Sequence, residues 1–193
     1  MSAPTAVRTL STPAAAALAD LAATFEELQT VLGCCERLVA GLAAPAQDEV
    51  VIESLWTTTL LSYGRCFVPG PRGMGLTAED VKATALEGAV EDWHDLLLRM
   101  REHFADPATD PRERFSVGVS RNSDGTAAGI AVTSVRQPLV DETTVRQTGA
   151  LAYALLRLVN DRIGTQQQLV FDAAGTMTAL QLDRLPEVEV AES

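Results

Sequence analysis

The sequence predicts a mainly α-helical protein, a bundle of four main helices with a β-hairpin inserted between the third and fourth long helices. Apolar residues recur every three or four positions along four long segments, which is the period of a helix with one buried face. Between the third and fourth segments the apolar period changes to two, as in a strand. A length of 193 residues, 47% of them hydrophobic, is enough for one core and short for two.

The first helix begins after a capping sequence. Ser11 or Thr12 offers a hydroxyl cap, and Pro13 suits the first helical turn. The apolar stripe that follows consists of Leu18, Leu21, Phe25, Leu28, Leu32, Cys35, Val39 and Leu42. Its spacing keeps these side chains on one face, and Pro45 then interrupts the pattern.

The second helix begins among acidic residues, which the positive end of the helix dipole favours. Its apolar stripe consists of Ile52, Trp56, Thr59, Tyr63 and Cys66. The glycine- and proline-rich segment 69–75 cannot continue a helix and is predicted to be a loop. The first two helices are therefore expected to form an antiparallel pair.

The third long helix carries both histidines of the chain. A short helix precedes it, opened by Thr77 and Asp80 in the spacing of a capping box. The long helix has its apolar stripe at Val90, Trp93, Leu97, Met100 and Phe104. This pattern makes Trp93 a core residue and places His94 and Arg101 away from the stripe.

The predicted hairpin spans residues 115–135. Phe115, Val117 and Val119 alternate with smaller residues, as do Ile130 and Val132, and the turn residues 122–125 lie between them. The fourth long helix follows Asp141 and Glu142, with its stripe from Val145 to Ile163, and Gly164 is expected to end it. Segment 169–182 fits a second hairpin or further helix, and the hairpin is favoured.

The expected domain organisation is a flexible N-terminus over 1–12, the helical bundle with its hairpin over 13–164, and a partly disordered C-terminal extension over 165–193. The apolar stripes of the first and fourth helices exceed what one small bundle covers. This excess predicts a homodimer, in addition to an unknown protein partner.

Charge and cysteine content limit the classes of function. The formal net charge of −11 does not favour a nucleic-acid-binding surface, although it is compatible with a local basic patch. Two of the three cysteines are neighbours, which argues against a disulfide framework and for a cytoplasmic protein. The sequence has no metal-ligand spacing, no cofactor motif, no secretion signal and no membrane-spanning run, so none of these is predicted.

The candidate catalytic residues are His94, Arg101 and His103, because histidine is the side chain suited to acid–base chemistry at neutral pH. An alternative explanation is structural. His94 and Arg101 would then lie on the solvated face of the helix, and His103 would offset the dipole at its C-terminal end.

The order of the elements, together with one helix, resembles the HEPN superfamily of helical-bundle proteins, many of which are dimeric, metal-independent ribonucleases. The resemblance covers residues 55–104, about a quarter of the chain, and its most specific part is Trp93, His94, Leu97, Leu98, Met100, Arg101 and Glu102 before a polar loop. The active motif of that family is an arginine, a polar residue, four to six further residues and a histidine. Arg101 and Glu102 match the first half, but Asp106, Pro107, Ala108 and Thr109 occupy the stretch where the histidine would lie. The resemblance therefore implies a non-catalytic member.

The leading hypothesis is a non-enzymatic helical interaction or regulatory protein. One alternative is a ribonuclease that combines Arg101 with His94 or His103 across a dimer interface. Another is a small-ligand-binding protein with a pocket formed by Trp56, Tyr63 and Trp93. Arg65 and Arg72 are candidates for an anion site, with solvated loop arginines as the structural alternative.

Overall fold

A computed structural model of the chain describes residues 7–68 and 75–188. Within these residues the protein is mainly helical with one two-stranded antiparallel hairpin, which confirms the predicted class. The elements in chain order are α1 Pro13–Leu42, α2 Glu49–Arg65, α3 Ala78–Ala83, α4 Val90–Ala105, β1 Glu113–Arg121, β2 Ala127–Arg136, α5 Glu142–Gly175 and α6 Ala179–Asp183.

Local capping explains where the helices begin. The Thr12 hydroxyl accepts a hydrogen bond from the backbone N–H of Ala15 at 3.1 Å, with Pro13 in the first turn, as predicted. The side chain of Asp80 accepts from the backbone N–H of Thr77 at 2.8 Å, which confirms the capping box of α3. Each cap satisfies N–H groups that have no partner inside the helix.

The central helix of the core is α1, which packs against α2 and α5, while α4 packs against α2. The apolar stripes of α1 and α5 lie against each other within one chain, with Leu28, Leu38, Leu155 and Val159 fully buried. These stripes are therefore covered without a second copy of the chain. Neither a closed four-helix bundle nor a homodimer follows from these contacts, and both stay predictions.

The C-terminal region differs from its prediction. Helix α5 continues through Gly164 to Gly175, and α6 occupies the remainder of the segment in which a second hairpin was favoured. A glycine inside a helix costs only about 1 kcal/mol, and the side chain of Gln166 stabilises the continuation by donating to the Ala14 carbonyl at 2.9 Å. The prediction that Gly164 ends the helix is wrong, because α5 continues eleven residues beyond it.

The chain ends of the described region pair with each other. Arg8 and Glu187 form an antiparallel bridge, and the Thr9 N–H donates to the Pro186 carbonyl at 2.8 Å. The rest of the predicted flexible N-terminus, 1–6, and the end of the acidic tail, 189–193, lie outside the described residues, as does most of the predicted loop, 69–74.

The hairpin is confirmed and extends two residues further at its start than predicted, with a register from Glu113↔Arg136 to Arg121↔Ala127. Gly125, at a positive φ of 87°, closes its turn. At its base, Arg112 pairs with Glu53 of α2, and Arg136 pairs with Glu49 at 2.7 Å. Beyond this base, every residue of both strands is exposed.

Candidate functional site

Helix α4 positions the three candidate catalytic residues. His94 and Arg101 are seven residues apart, or about two turns, so both lie on the face of α4 that packs against α2. His103 is nine residues beyond His94, which places it on the opposite side of the helix about 13 Å further along the axis. One chain therefore does not bring the two histidines together.

His94 is a buried residue, which corrects the expectation that it lies on a solvated face. It is only 5% exposed, and its Nδ1 atom is hydrogen-bonded to the Tyr63 hydroxyl at 2.8 Å. The ring of Phe67 lies beside it, with 4.3 Å between the ring centroids. Burial lowers the pKa of His94, despite an opposing effect of Asp95, and burial also raises the pKa of Tyr63. Both groups are therefore neutral at pH 7, and their hydrogen bond joins α2 to α4.

The lowered pKa of His94 predicts a specific loss of stability in mild acid. Below its ordinary pKa of 6.5, the unfolded chain binds more protons at this residue than the folded chain does. The free energy of unfolding should therefore decrease as the pH falls below 6.5, by at most about 1.4 kcal/mol per pH unit from this group. Denaturant unfolding at several pH values between about 5 and 8 measures this slope.

The matched control is the other histidine of the chain. His94→Gln should remove the contribution of this group to the slope, whereas His103→Gln should preserve it because His103 is exposed. Equal slopes in the two variants would contradict the buried, neutral state of His94.

Arg101 packs its side chain across α2 at Gly64. A β-carbon at residue 64 would overlap Cδ of Arg101, so the glycine allows this close approach. The Nε of Arg101 is buried and has no hydrogen-bond partner in the described part of the chain, and its Nη2 lies 3.7 Å from an oxygen of Glu102. The side chain of Arg101 is thus partly committed to packing against α2.

His103 borders an open cleft of about 1130 Å³ between α2, the end of α4, the base of the hairpin and the start of α5. Three arginines and five carboxylates line this cleft, and Arg112 and Arg136 are paired with Glu53 and Glu49. Because the charges of both signs offset one another, the cleft does not present a basic surface for a phosphate backbone.

The other candidate residues are dispersed. Arg65 is exposed and pairs with Glu27 of α1 at 3.3 Å, while Arg72 lies outside the described residues. Trp56 and Tyr63 are 4% and 0% exposed, and both lie on the face of α2 that is buried in the core. Trp56 also borders the cleft. Trp93 is half-buried against that core instead of fully buried. Their burial favours a packing role over a shared ligand pocket.

Burial makes the cysteines poor nucleophiles. All three are buried and free, and burial raises the pKa of Cys35 and of Cys66 to about 12. Both are thiols at neutral pH, whereas nucleophilic attack needs the thiolate. Among the described residues, no group of three or more His, Cys, Asp or Glu side chains could hold a metal ion.

The feature that the sequence did not single out is one side of the hairpin, which we call the apolar hairpin face. It consists of Phe115, Val117, Val119, Ile130 and Val132, whose side chains share one side of the ribbon. These residues are between 57% and 73% exposed. Their alternation is visible in the sequence, but the alternation alone does not tell whether the helices cover this face.

No protein-family model matches the chain, and no curated protein or solved structure matches it at a significant level. Through residues 7–68 and 75–188, each helix is either too short or too polar to cross a bilayer.

Proposed function

We propose that the protein is a non-catalytic helical interaction module that binds another protein chain through the apolar hairpin face. The observation that carries the proposal is the exposure of five large apolar side chains on one side of a projecting ribbon. A two-stranded hairpin is marginally stable in water unless its apolar side packs against something. Exposed apolar patches of this kind are typical of protein interaction sites.

The strand edges support the same role. Residues 115–120 and 125–135 contain no charged side chain and no proline, which are the usual devices that block pairing with another strand. In a two-stranded sheet each strand has one unpaired edge, so both edges offer backbone donors and acceptors to a partner.

The arrangement of α4 supports a non-catalytic protein. General acid–base catalysis needs a titrating group within hydrogen-bond reach of the substrate. His94 is enclosed by Tyr63 and Phe67, and Arg101 is packed across Gly64. In a degenerate HEPN-like module, these residues would be retained for packing, consistent with the missing histidine after Arg101.

A ribonuclease is the second candidate, and it depends on a histidine supplied by another chain. The buried and unpaired Nε of Arg101 is the one observation in its favour. An RNA-cleavage assay separates the candidates when wild type is compared with Arg101→Ala. Cleavage that is lost in the variant supports the ribonuclease, and no cleavage by either protein supports the interaction module.

Photo-crosslinking in the native cells tests the proposed role. A photoreactive phenylalanine analogue at residue 115, on the apolar hairpin face, is expected to form a covalent adduct with a protein. The matched control places the same analogue at Thr133, which is exposed on the opposite side of the ribbon. An adduct at 115 but not at 133 is the expected result, and equal labelling or no adduct at either position would overturn the proposal.

A further inference from the structure

The apolar hairpin face is large enough for a small interface. Its five side chains are each more than half exposed, which amounts to on the order of 500 Å² of apolar surface. If two such faces packed together, they would bury about 1,000 Å² in total, which is near the lower limit for a specific interface. The face is therefore matched in size to a second ribbon like itself.

The apolar pairs are arranged about a centre. Three cross-strand pairs cover the face: Phe115↔Ser134, Val117↔Val132 and Val119↔Ile130. A two-fold axis through the middle pair, perpendicular to the strands, places Val117 against its own equivalent. The same axis places Phe115 of each copy over Val119 of the other.

Residues of opposite charge lie at the two ends of β1. Glu113, at the base of the ribbon, and Arg121, near its tip, are each four residues from Val117 and share its side of the strand. Within one chain Glu113 also pairs with Arg136 at 3.3 Å, and the Arg121 side chain donates to the Gly125 carbonyl at 3.2 Å. The two-fold axis places Glu113 of each copy beside Arg121 of the other. It also places the helical bodies at opposite ends of the paired ribbons.

We infer that the occupant of the apolar hairpin face is a second copy of this chain, packed face to face about a two-fold axis through Val117 and Val132. The inference rests on the proposed function and names the partner of its interaction surface. The dimer is held by its strands, because the helical stripes of α1 and α5 are covered within each chain.

Sedimentation velocity of the full chain at about 5 and about 50 μM tests the inference. Wild type is expected to sediment with a mass near twice the 20.5 kDa of one chain. Val117→Asp should weaken self-association at least tenfold, because each copy would bury a carboxylate against another carboxylate. The matched control is Ser116→Asp, which adds the same charge on the opposite side of the ribbon and should leave the dimer unchanged.

A mixing experiment separates a lost contact from a hairpin that fails to fold. Val117→Lys alone should also be monomeric, but mixing it with Val117→Asp should restore dimers, since the two-fold axis brings the opposite charges together. A monomeric wild type at about 50 μM, equal weakening by Ser116→Asp, or a mixture that stays monomeric would each overturn the inference.

The experiments distinguish a wrong partner from a wrong interaction surface. A monomeric wild type together with an adduct from residue 115 to a different protein would overturn only the second copy as occupant. A monomeric wild type without any adduct at residue 115 would overturn both.

Discussion

Tyr63→Ala is expected to lower the free energy of unfolding by about 4 kcal/mol, the range of large-to-small substitutions in a core. Tyr63 is fully buried where α2 contacts α4, and its ring lies 5.1 Å from that of Phe67. The substitution also leaves Nδ1 of the buried His94 without its partner. Urea unfolding followed by helical circular dichroism measures the loss.

The chain contains its own control for this variant, since it has two tyrosines. Tyr153 is 57% exposed on α5, so Tyr153→Ala should change the free energy of unfolding by no more than about 0.5 kcal/mol. Tyr63→Phe keeps the ring and removes only the hydroxyl, for an expected cost of about 1 to 2 kcal/mol. If Tyr63→Ala costs no more than Tyr153→Ala, Tyr63 does not join the helices as described.

Asp80→Asn is expected to lower the free energy of unfolding by about 2 kcal/mol. The carboxylate of Asp80 serves two contacts, since it caps α3 at Thr77 and pairs with Arg162 of α5. Asp80 is only 6% exposed, so water does not replace these partners once they are lost. Denaturant unfolding at pH 7 measures the difference between wild type and variant.

The same contacts determine how this difference depends on pH. Burial opposes ionisation of Asp80, but hydrogen bonds from Arg162 and Thr77 outweigh it, so the pKa lies below the ordinary value of 3.8. The stability from the ionised group is complete above pH 3.8 and is lost as the pH falls through the folded pKa. The gap between wild type and Asp80→Asn should therefore narrow in strong acid.

Glu79→Gln is the control for this effect. Glu79 is the residue before Asp80 and forms an exposed ion pair with Lys82 at 3.1 Å. Because exposed ion pairs contribute little, this variant should change the free energy of unfolding by less than about 0.5 kcal/mol. A loss equal to that of Asp80→Asn would mean that charge alone, and not the link between α3 and α5, determines the stability of this region.

The elements with a local cause could be predicted from the sequence. Thr12 with Pro13 begins α1, and Thr77 with Asp80 begins α3, because a cap needs only residues within one turn. The alternation on both sides of Gly125 likewise predicts the hairpin, because strand period and turn chemistry are short-range properties. The prediction was wrong at Gly164, where the support for further helix comes from the distant residue Ala14.

The candidate site could be predicted only in its composition. The sequence shows that α4 carries both histidines and Arg101, but it does not show what lies opposite them. Tyr63 is hydrogen-bonded to His94, and Gly64 leaves room for Arg101. Tyr63 and Gly64 belong to a different helix, more than 30 positions earlier in the chain. Which polar groups of a helix become buried depends on the helix that packs against it. The apolar spacing within the helix predicts this burial only in part.

By itself, the sequence determined the helical class, the helix starts, the position of the hairpin and the absence of a histidine after Arg101, since each depends on residue types at short spacing. Only the tertiary structure decided that the α1 and α5 stripes cover each other, that His94 is buried, and that the apolar hairpin face is left exposed. The physical reason is that hydrophobic burial is non-directional. An apolar stripe is stable when it is buried against another surface, and the packing of the whole chain determines which surface that is.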